Sequence, residues 1–387
     1  MSSYRAFADE SAQELSAKLD AIRQETTPDA RLDLFEVALN ENAEANSVKI
    51  ETTSCEAVDE VKKIVDNFPS WKIDVKLYPE ENDELEGRWR GIVVFSTIQL
   101  QKAPDFAAEW GTQALMGTPV RVIKKASGGW LLIQNFDGYF GYTPAGNVVR
   151  KTREEYNAWL ESKRLVFLPS FGFIYSAPDG DSQTISDLTA GCVLVWKDEE
   201  TTDDFYRVET PDGRQGWVLK RETQEWNDWL STRELNADNL IASARRLLGA
   251  PYVWGGTSPK GVDCSGLVSV AFRLNGYNIL RDVSQIQREG IDVDLSQGWQ
   301  NFQPGDLLIF GKKRANGSTH WRHTAIYIGN GRFIQSASGV RESSLDPNSP
   351  VYDSYNAKEL IKVVRMIGAP HTKHFRPIVE NPCFQAQ

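Results

Sequence analysis

GVDCSGLVSVAF, residues Gly261 to Phe272, reads as a glycine-marked turn, a polar pair and then a small, apolar helix. It puts Cys264 on the first helical turn, where unpaired backbone N–H groups and the helix dipole favour negative charge. A thiol so placed is expected to have a lowered pKa, and the thiolate is the nucleophilic form. Ten residues upstream stands PYVWGG (Pro251 to Gly256), an aromatic loop rich in glycine. Downstream comes HTAIYIGNGRFIQSAS (His323 to Ser338), a histidine opening an apolar β-hairpin. Cysteine, histidine and a polar third group in that order suggest acyl transfer through a thioester. An isolated cysteine is ordinarily a small buried hydrophobe; the flanking motifs set this one apart.

Working outward, RDVSQ at Arg281 and PGDLLIF at Pro304 complete a set of five motifs in one domain. From about Asp238 to Gly368 the chain resembles the NlpC-type cell-wall peptidases, papain-like cysteine peptidases that cut peptidoglycan stem peptides. From about Gly91 it is similar to three-part relatives with two bacterial Src-homology-three-like barrels ahead of that catalytic domain. The resemblance implies an α+β papain-like fold, no cofactor and a peptide substrate.

Cys264 is the expected nucleophile and His323 the expected base, able to take the thiol proton near neutral pH and return it to the leaving amine. All four histidines lie between His320 and His374, and His323 heads the matching strand. His320 stays open as a rival base. His-x-x-His lacks a third ligand at metal spacing, so no metal is expected; His371 and His374 read as solvated tail residues. The resemblance makes Gln335 the third member, where relatives commonly carry histidine. Its amide oxygen can accept the imidazole Nδ1–H and fix the tautomer. Tyr252 is expected to donate to the oxyanion beside the Cys264 backbone N–H.

By the same resemblance Asp263, Ser265, Arg281, Asp282 and Ser284 contact the first two substrate residues. Relatives that need a free N-terminal L-Ala hold its ammonium with an acidic residue and a tyrosine of the first barrel. Glu109 and Tyr139 match best, and the ammonium is expected to face Glu109 and Asp263 in a partly dry pocket.

The chain of 387 residues, 41% hydrophobic and 11% aromatic, is too long for one core. A net charge of −10 argues against a nucleic-acid partner, and no apolar run spans a membrane. MSSYRAFADESAQEL lacks the basic and apolar regions of a secretory signal. That leaves a cytoplasmic protein, or a periplasmic or envelope protein whose leader precedes this sequence. The cysteines have neither metal nor disulfide spacing: Cys55 and Cys192 read as buried or half-buried, Cys383 as an exposed tail thiol.

The expected organisation is a multidomain α+β chain. An N-terminal helix fills 1–26, with Leu15, Leu19 and Ile22 on one stripe. A small β-β-α-β domain spans 27–88, ending in the acidic linker PEENDELEG (Pro79 to Gly87). Barrels span 89–151 and 164–222, the catalytic domain 236–369 and a tail 370–387. LLIQNFDGYFGYT and YRVETPDGRQGWV share a strand, a DG turn and a strand, with Asp137 and Asp212 offset by 75 residues. That spacing reads as a duplicated module. Trp159 and Trp229 are expected to anchor short helices after each barrel.

The favoured function is hydrolysis of the γ-D-glutamyl-L-diamino acid bond in stem peptides with a free L-Ala. Rivals are an endopeptidase on intact wall with the barrels as wall-binding modules, a non-catalytic wall-binding protein, and an amide or lipid acyltransferase.

Overall fold

The computed structural model describes residues 2–40 and 46–386, with side chains from Ser11 onward except at 198–200. Met1 of the expected first helix, 41–45 of the small domain and Gln387 of the tail lie outside the described residues. The first helix runs Ser2–Thr26. Leu15, Leu19 and Ile22 pack on Val48, Ile50, Val61 and Trp71 of the unit that follows. That unit is a three-stranded sheet, Phe35–Asn40, Asn46–Thr52 and Trp71–Leu77. The first pair is antiparallel and the second parallel, which requires a crossover. The helix Cys55–Ile64 supplies it, with Ser54 as N-cap. Cys55 is exposed on it rather than buried, because it sits at the helix's first position and Ala57 and Val61 face the core. The acidic linker is anchored: Leu85 is fully buried in the first barrel's core.

Each barrel is a seven-stranded sheet. The first uses Arg90–Val93, Thr97–Gln101, Trp110–Leu115, Pro119–Ala126, Trp130–Asn135, Phe140–Pro144 and Val148–Lys151. The second uses Arg164–Phe167, Gly172–Tyr175, Thr184–Leu188, Val193–Thr201, Phe205–Glu209, Gln215–Leu219 and Thr223–Glu225. Numbered within each barrel, the strands pair in the same order: seventh, first, fourth, fifth, sixth, second, third. The DG turns lie between the fifth and sixth strands of each, with Gly138 and Gly213 at φ 90° and 89°, the sign that glycine tolerates. The helices Arg153–Glu161 and Trp226–Ser231 bury Trp159 and Trp229 in one shared cluster.

In the last domain the helix Ala237–Arg245 packs on the helix Cys264–Leu274. The latter lies against an antiparallel sheet ordered Ile291–Asp292, Leu360–Arg365, Leu307–Lys313, Thr319–Gly329, Arg332–Ser336, Val340–Ser344. Leu267, Val268, Val270 and Ala271 are fully buried, so the helix is the centre of the core. The tail is packed rather than loose. Phe375 and Ile378 are buried, Arg376–Pro377 pairs with Tyr277–Asn278, and Cys383 is half-buried where its carbonyl accepts from the Tyr156 hydroxyl at 2.5 Å. His374 is half-buried against expectation, and burial pushes it down to about 4; His371 is exposed beside Glu380.

Candidate active site

Asp263 builds the nucleophile turn. As N-cap of the Cys264 helix it accepts from Gly266 N at 2.7 Å, and its second oxygen accepts from Gly255 N at 2.9 Å. Arg281, 1% exposed, clamps both oxygens at 3.0 and 2.6 Å and donates to Ser265 Oγ at 2.8 Å and Thr112 Oγ1 at 3.1 Å. Thr112 belongs to the first barrel, so one guanidinium ties barrel, aromatic loop and nucleophile turn together. Gly266 is obligatory, since a Cβ there would lie 1.9 Å from Gly256 O. Gly255 has φ 76°, and its Cβ would meet the Trp110 backbone at 2.8 Å, where the first barrel lies on the aromatic loop.

Cys264 is 8% exposed. Burial and then the Asp263 carboxylate push its thiol up to about 11, against the Thr324 and Ser265 backbone N–H groups that point at the sulfur. The lowered thiol pKa expected from the helix start is therefore corrected: desolvation outweighs the dipole. His323, next to Thr324, is 5% exposed and its ring lies 5.5 Å from that of Phe310. Burial pushes it down to about 4, opposed by its hydrogen bond to Gln335. At neutral pH the resting pair is thus a thiol and a neutral imidazole, and a proton must move for attack.

His323 Nε2 meets Gln335 Oε1 at 2.7 Å. The contact is made through Nε2 rather than Nδ1, which leaves Nδ1 as the free base. Ile326 pairs with Ile334 across the hairpin. Continuing that register sets Gln335 opposite Ala325, two residues along from His323 on the same face, where diagonal neighbours touch. His320 is exposed, with Nδ1 3.2 Å from Arg314 Nη2.

A cleft of about 200 Å³ lies over Cys264. One side is Tyr252, Trp254, Asp263, Ser265, Asp282 and Ser284; Glu109, Trp110, Gly111 and Tyr139 of the first barrel face them. Gly111 makes room for Tyr139, whose ring carbon would stand 2.8 Å from a Cβ there. The Tyr139 hydroxyl donates to Asp282 Oδ2 at 3.3 Å, and Trp254 Nε1 donates to Glu109 Oε1 at 2.8 Å. Tyr252 has its hydroxyl pushed up by burial and by the Cys264 and Asp263 charges, which keeps it a neutral hydroxyl, and it lines the same cleft as Cys264.

Three expectations about binding change. Arg281 is spent on Asp263, Ser265 and Thr112 behind the cleft and is not among its lining residues. Asp263 is saturated by Arg281 and two backbone N–H groups, so it has no oxygen left for an ammonium. Glu109 is 45% exposed and already paired with Lys102 at 2.8 Å. Asp282 is a third carboxylate lining the cleft, and the sequence reading missed what else reaches it. Arg31, from the segment after the first helix, donates to Asp282 Oδ2 at 2.7 Å and Ser284 Oγ at 2.9 Å. Asp29 holds the same guanidinium at 2.7 and 2.6 Å and accepts from Gln285 at 3.0 Å. Phe140 N donates to Arg31 O at 2.9 Å, so the segment is pinned between barrel and catalytic domain. Among the described residues no cluster suited to a metal ion occurs.

The sequence pattern of the NlpC/P60 family matches residues 249–365. Residues 249–365 form an NlpC/P60 domain. Residues 100–147 match the bacterial dipeptidyl-peptidase Sh3 domain. A dipeptidyl-peptidase 6 of Lysinibacillus sphaericus is 29% identical over 294 residues, covering 72% of this chain and 98% of that relative. A gamma-D-glutamyl-L-lysine dipeptidyl-peptidase of Bacillus cereus is 29% identical over 257 residues, covering 62% and 72%. The crystal structure of an NlpC/P60 family protein from Bacillus cereus superposes with a TM-score of 0.60 at 24% identity, over 71% of this chain and 99% of that one; the likeness is one of fold. The NlpC/P60 domain with its Sh3 partner makes the chain a cysteine-type peptidase of multidomain α+β architecture.

Proposed function

We propose that the chain hydrolyses the γ-D-glutamyl-L-diamino acid bond of peptidoglycan stem peptides, releasing L-Ala-γ-D-Glu from peptides with a free amino terminus. The observation that carries this is the closed far side of the cleft. Tyr139 and Glu109 of the first barrel bond to Asp282 and Trp254 of the NlpC/P60 domain, and Arg31 bridges behind them. In this reading the barrel wall limits a peptide entering over Cys264 to two residues ahead of the scissile bond. The formal charges of Asp29, Arg31 and Asp282 leave one net negative charge at that end, which suits an ammonium. The names of the two relatives point to the same chemistry.

In this reading Cys264 Sγ attacks the γ-carbonyl carbon of D-Glu while His323 Nδ1 takes the thiol proton. The Tyr252 hydroxyl and the Cys264 N–H receive the oxyanion. The C–N bond breaks as His323 returns the proton to the departing amine, and water then hydrolyses the thioester. The work belongs to wall-peptide turnover in the cell envelope. Among the described residues no helix is long and apolar enough to cross a membrane.

Mass spectrometry of products from L-Ala-γ-D-Glu-L-Lys and its meso-diaminopimelate counterpart tests the reading. Free L-Ala-γ-D-Glu plus diamino acid is expected. Efficient release of fragments from intact sacculi would replace it with a wall endopeptidase.

A further inference from the structure

Gln335 is fully buried and uses its whole amide. Oε1 accepts from His323 Nε2 at 2.7 Å and from Asn356 Nδ2 at 3.0 Å. Nε2 donates to Ser343 Oγ and to Asp353 Oδ2, both at 2.8 Å. Asn356 is oriented in turn: its Oδ1 accepts from Arg322 Nη2 at 2.7 Å and its Nδ2 also donates to Asp353 Oδ2 at 2.8 Å. Glu359 holds Arg322 at 2.7 Å. Asp353, Asn356 and Glu359 stand three residues apart at the start and along the helix Ser354–Glu359, hence on one face.

We propose that Asp353 and Asn356 are positioning residues for His323: they fix which end of the Gln335 amide meets the imidazole, and so which ring nitrogen is free to take the Cys264 proton. The inference rests on the reading of Cys264 and His323 as nucleophile and base, but not on the peptide assigned to them.

The argument is one of donors and acceptors. Turning the Gln335 amide over would bring its NH2 against the Asn356 NH2 and its oxygen against the Asp353 carboxylate. Both are repulsive; Gln335 and Asn356 are buried, where such a mismatch has no water to relieve it, and Asp353 beside them is half-buried. With the oxygen held toward the ring, the bonded nitrogen must carry the proton, so His323 is the Nε2–H tautomer with a bare Nδ1. A neutral glutamine alone can present either end; a glutamine backed by a carboxylate and a second oriented amide presents one. Asp353 also brings a negative charge within two hydrogen bonds of the ring, favouring the imidazolium that forms when the thiol proton arrives. Arg322 on the same strand and Arg341 on the edge strand oppose it.

The test reads the tautomer directly. With four histidines in the chain, 15N NMR of His323 at neutral pH is resolvable by comparison with His323→Ala. Wild type is expected as Nε2–H; Asp353→Leu and Asn356→Leu are expected to show a large Nδ1–H fraction. On a cleaved peptide kcat should fall on the order of tenfold to a hundredfold with KM little changed. Gln335→Glu in the Asp353→Leu background should restore most of kcat, because a carboxylate shows oxygen whichever way it turns. A merely structural Asp353 would not be rescued in this way. Circular dichroism checks folding, and Asp353→Asn, which keeps the shape, replaces the leucine variant if that fails to fold. Wild-type tautomer in both leucine variants, or a fall in kcat that Gln335→Glu leaves untouched, overturns the proposal. A wild type that cleaves no stem peptide overturns the substrate reading alone, since the tautomer is measured without one.

Discussion

The two barrels pair their strands in one order and turn on the same DG dipeptide, yet among the described residues only the first reaches the cleft. Residue 139, just past the first turn, is a buried tyrosine bonded to Asp282. Its counterpart 75 residues on is Arg214, which folds back onto Asp212 at 2.8 Å. The turn aspartates diverge likewise. Burial pushes Asp137 up to about 6, whereas Asp212, despite some burial, is held low by Arg214 and Thr210. Among the described residues the second barrel lines no part of the Cys264 cleft. It supports the first instead, where Gly117 at φ 78° abuts the Val193 backbone so closely that a Cβ would stand 2.2 Å from its carbonyl oxygen. Both barrels touch the catalytic domain, the second through Asp187 on Lys260 and the Leu168 carbonyl on Arg246; among the described residues it is the first that lines the cleft.

The largest expected effects separate the chemistry from both barrels. Cys264→Ala should abolish hydrolysis with the fold intact by circular dichroism. His323→Ala should be nearly as damaging and His320→Ala tolerated; the reverse order would reassign the base. Next comes the joint between first barrel and nucleophile turn. Arg281→Met leaves Asp263 buried and unpaired, which should cost roughly 3–5 kcal/mol, read as a lower midpoint in denaturant and lost activity. The direct test of the comparison follows: Tyr139→Ala should raise KM about tenfold, on the scale of one lost polar anchor. Arg214→Ala should leave kinetics unchanged. Equal damage from both would end the distinction. The smallest effect is at the rim, where Glu109→Gln removes an exposed, screened charge and should change kcat/KM by only a few-fold.

The pH dependence follows from burial. His323 must be neutral to act, and with its pKa near 4 activity should persist as pH falls through 6.5, where an ordinary histidine protonates, and fail as it approaches 4. Because the folded value lies below the unfolded one, the unfolded chain binds more protons in that window. The contribution of His323 to stability is therefore full above 6.5 and lost as pH falls toward 4. A kcat/KM profile with its acid limb at 6.5 would contradict the buried, neutral base.

The capped helix start at Cys264 and the glycine loop before it were legible because their motifs are local; His323, expected to head a strand, lies instead in the middle of Thr319–Gly329. The barrel repeat was legible from one dipeptide at a fixed offset. What the sequence hid depends on distant pairing. Arg31 and Asp282 are 251 residues apart, and no composition signal joins them. Asp263 looks like a free carboxylate beside the nucleophile until Arg281 is seen to consume it. The Asp353, Asn356, Glu359 spacing was the available clue to the support behind Gln335, but a helix of six residues is too short to show periodicity. The thiol's raised pKa was hidden for a related reason: the helix start is a local feature, and burial is set by the whole domain.

The measurement that bears most directly on the closed cleft is kcat/KM on matched L-Ala-γ-D-Glu-diamino acid peptides with the alanine free and N-acetylated. Acetylation removes the charge that Asp282 would meet and adds bulk against Tyr139 and Arg31. The account predicts that turnover of the acetylated peptide nearly vanishes, and that Tyr139→Ala narrows the gap between the two. Equal rates on both peptides would contradict it.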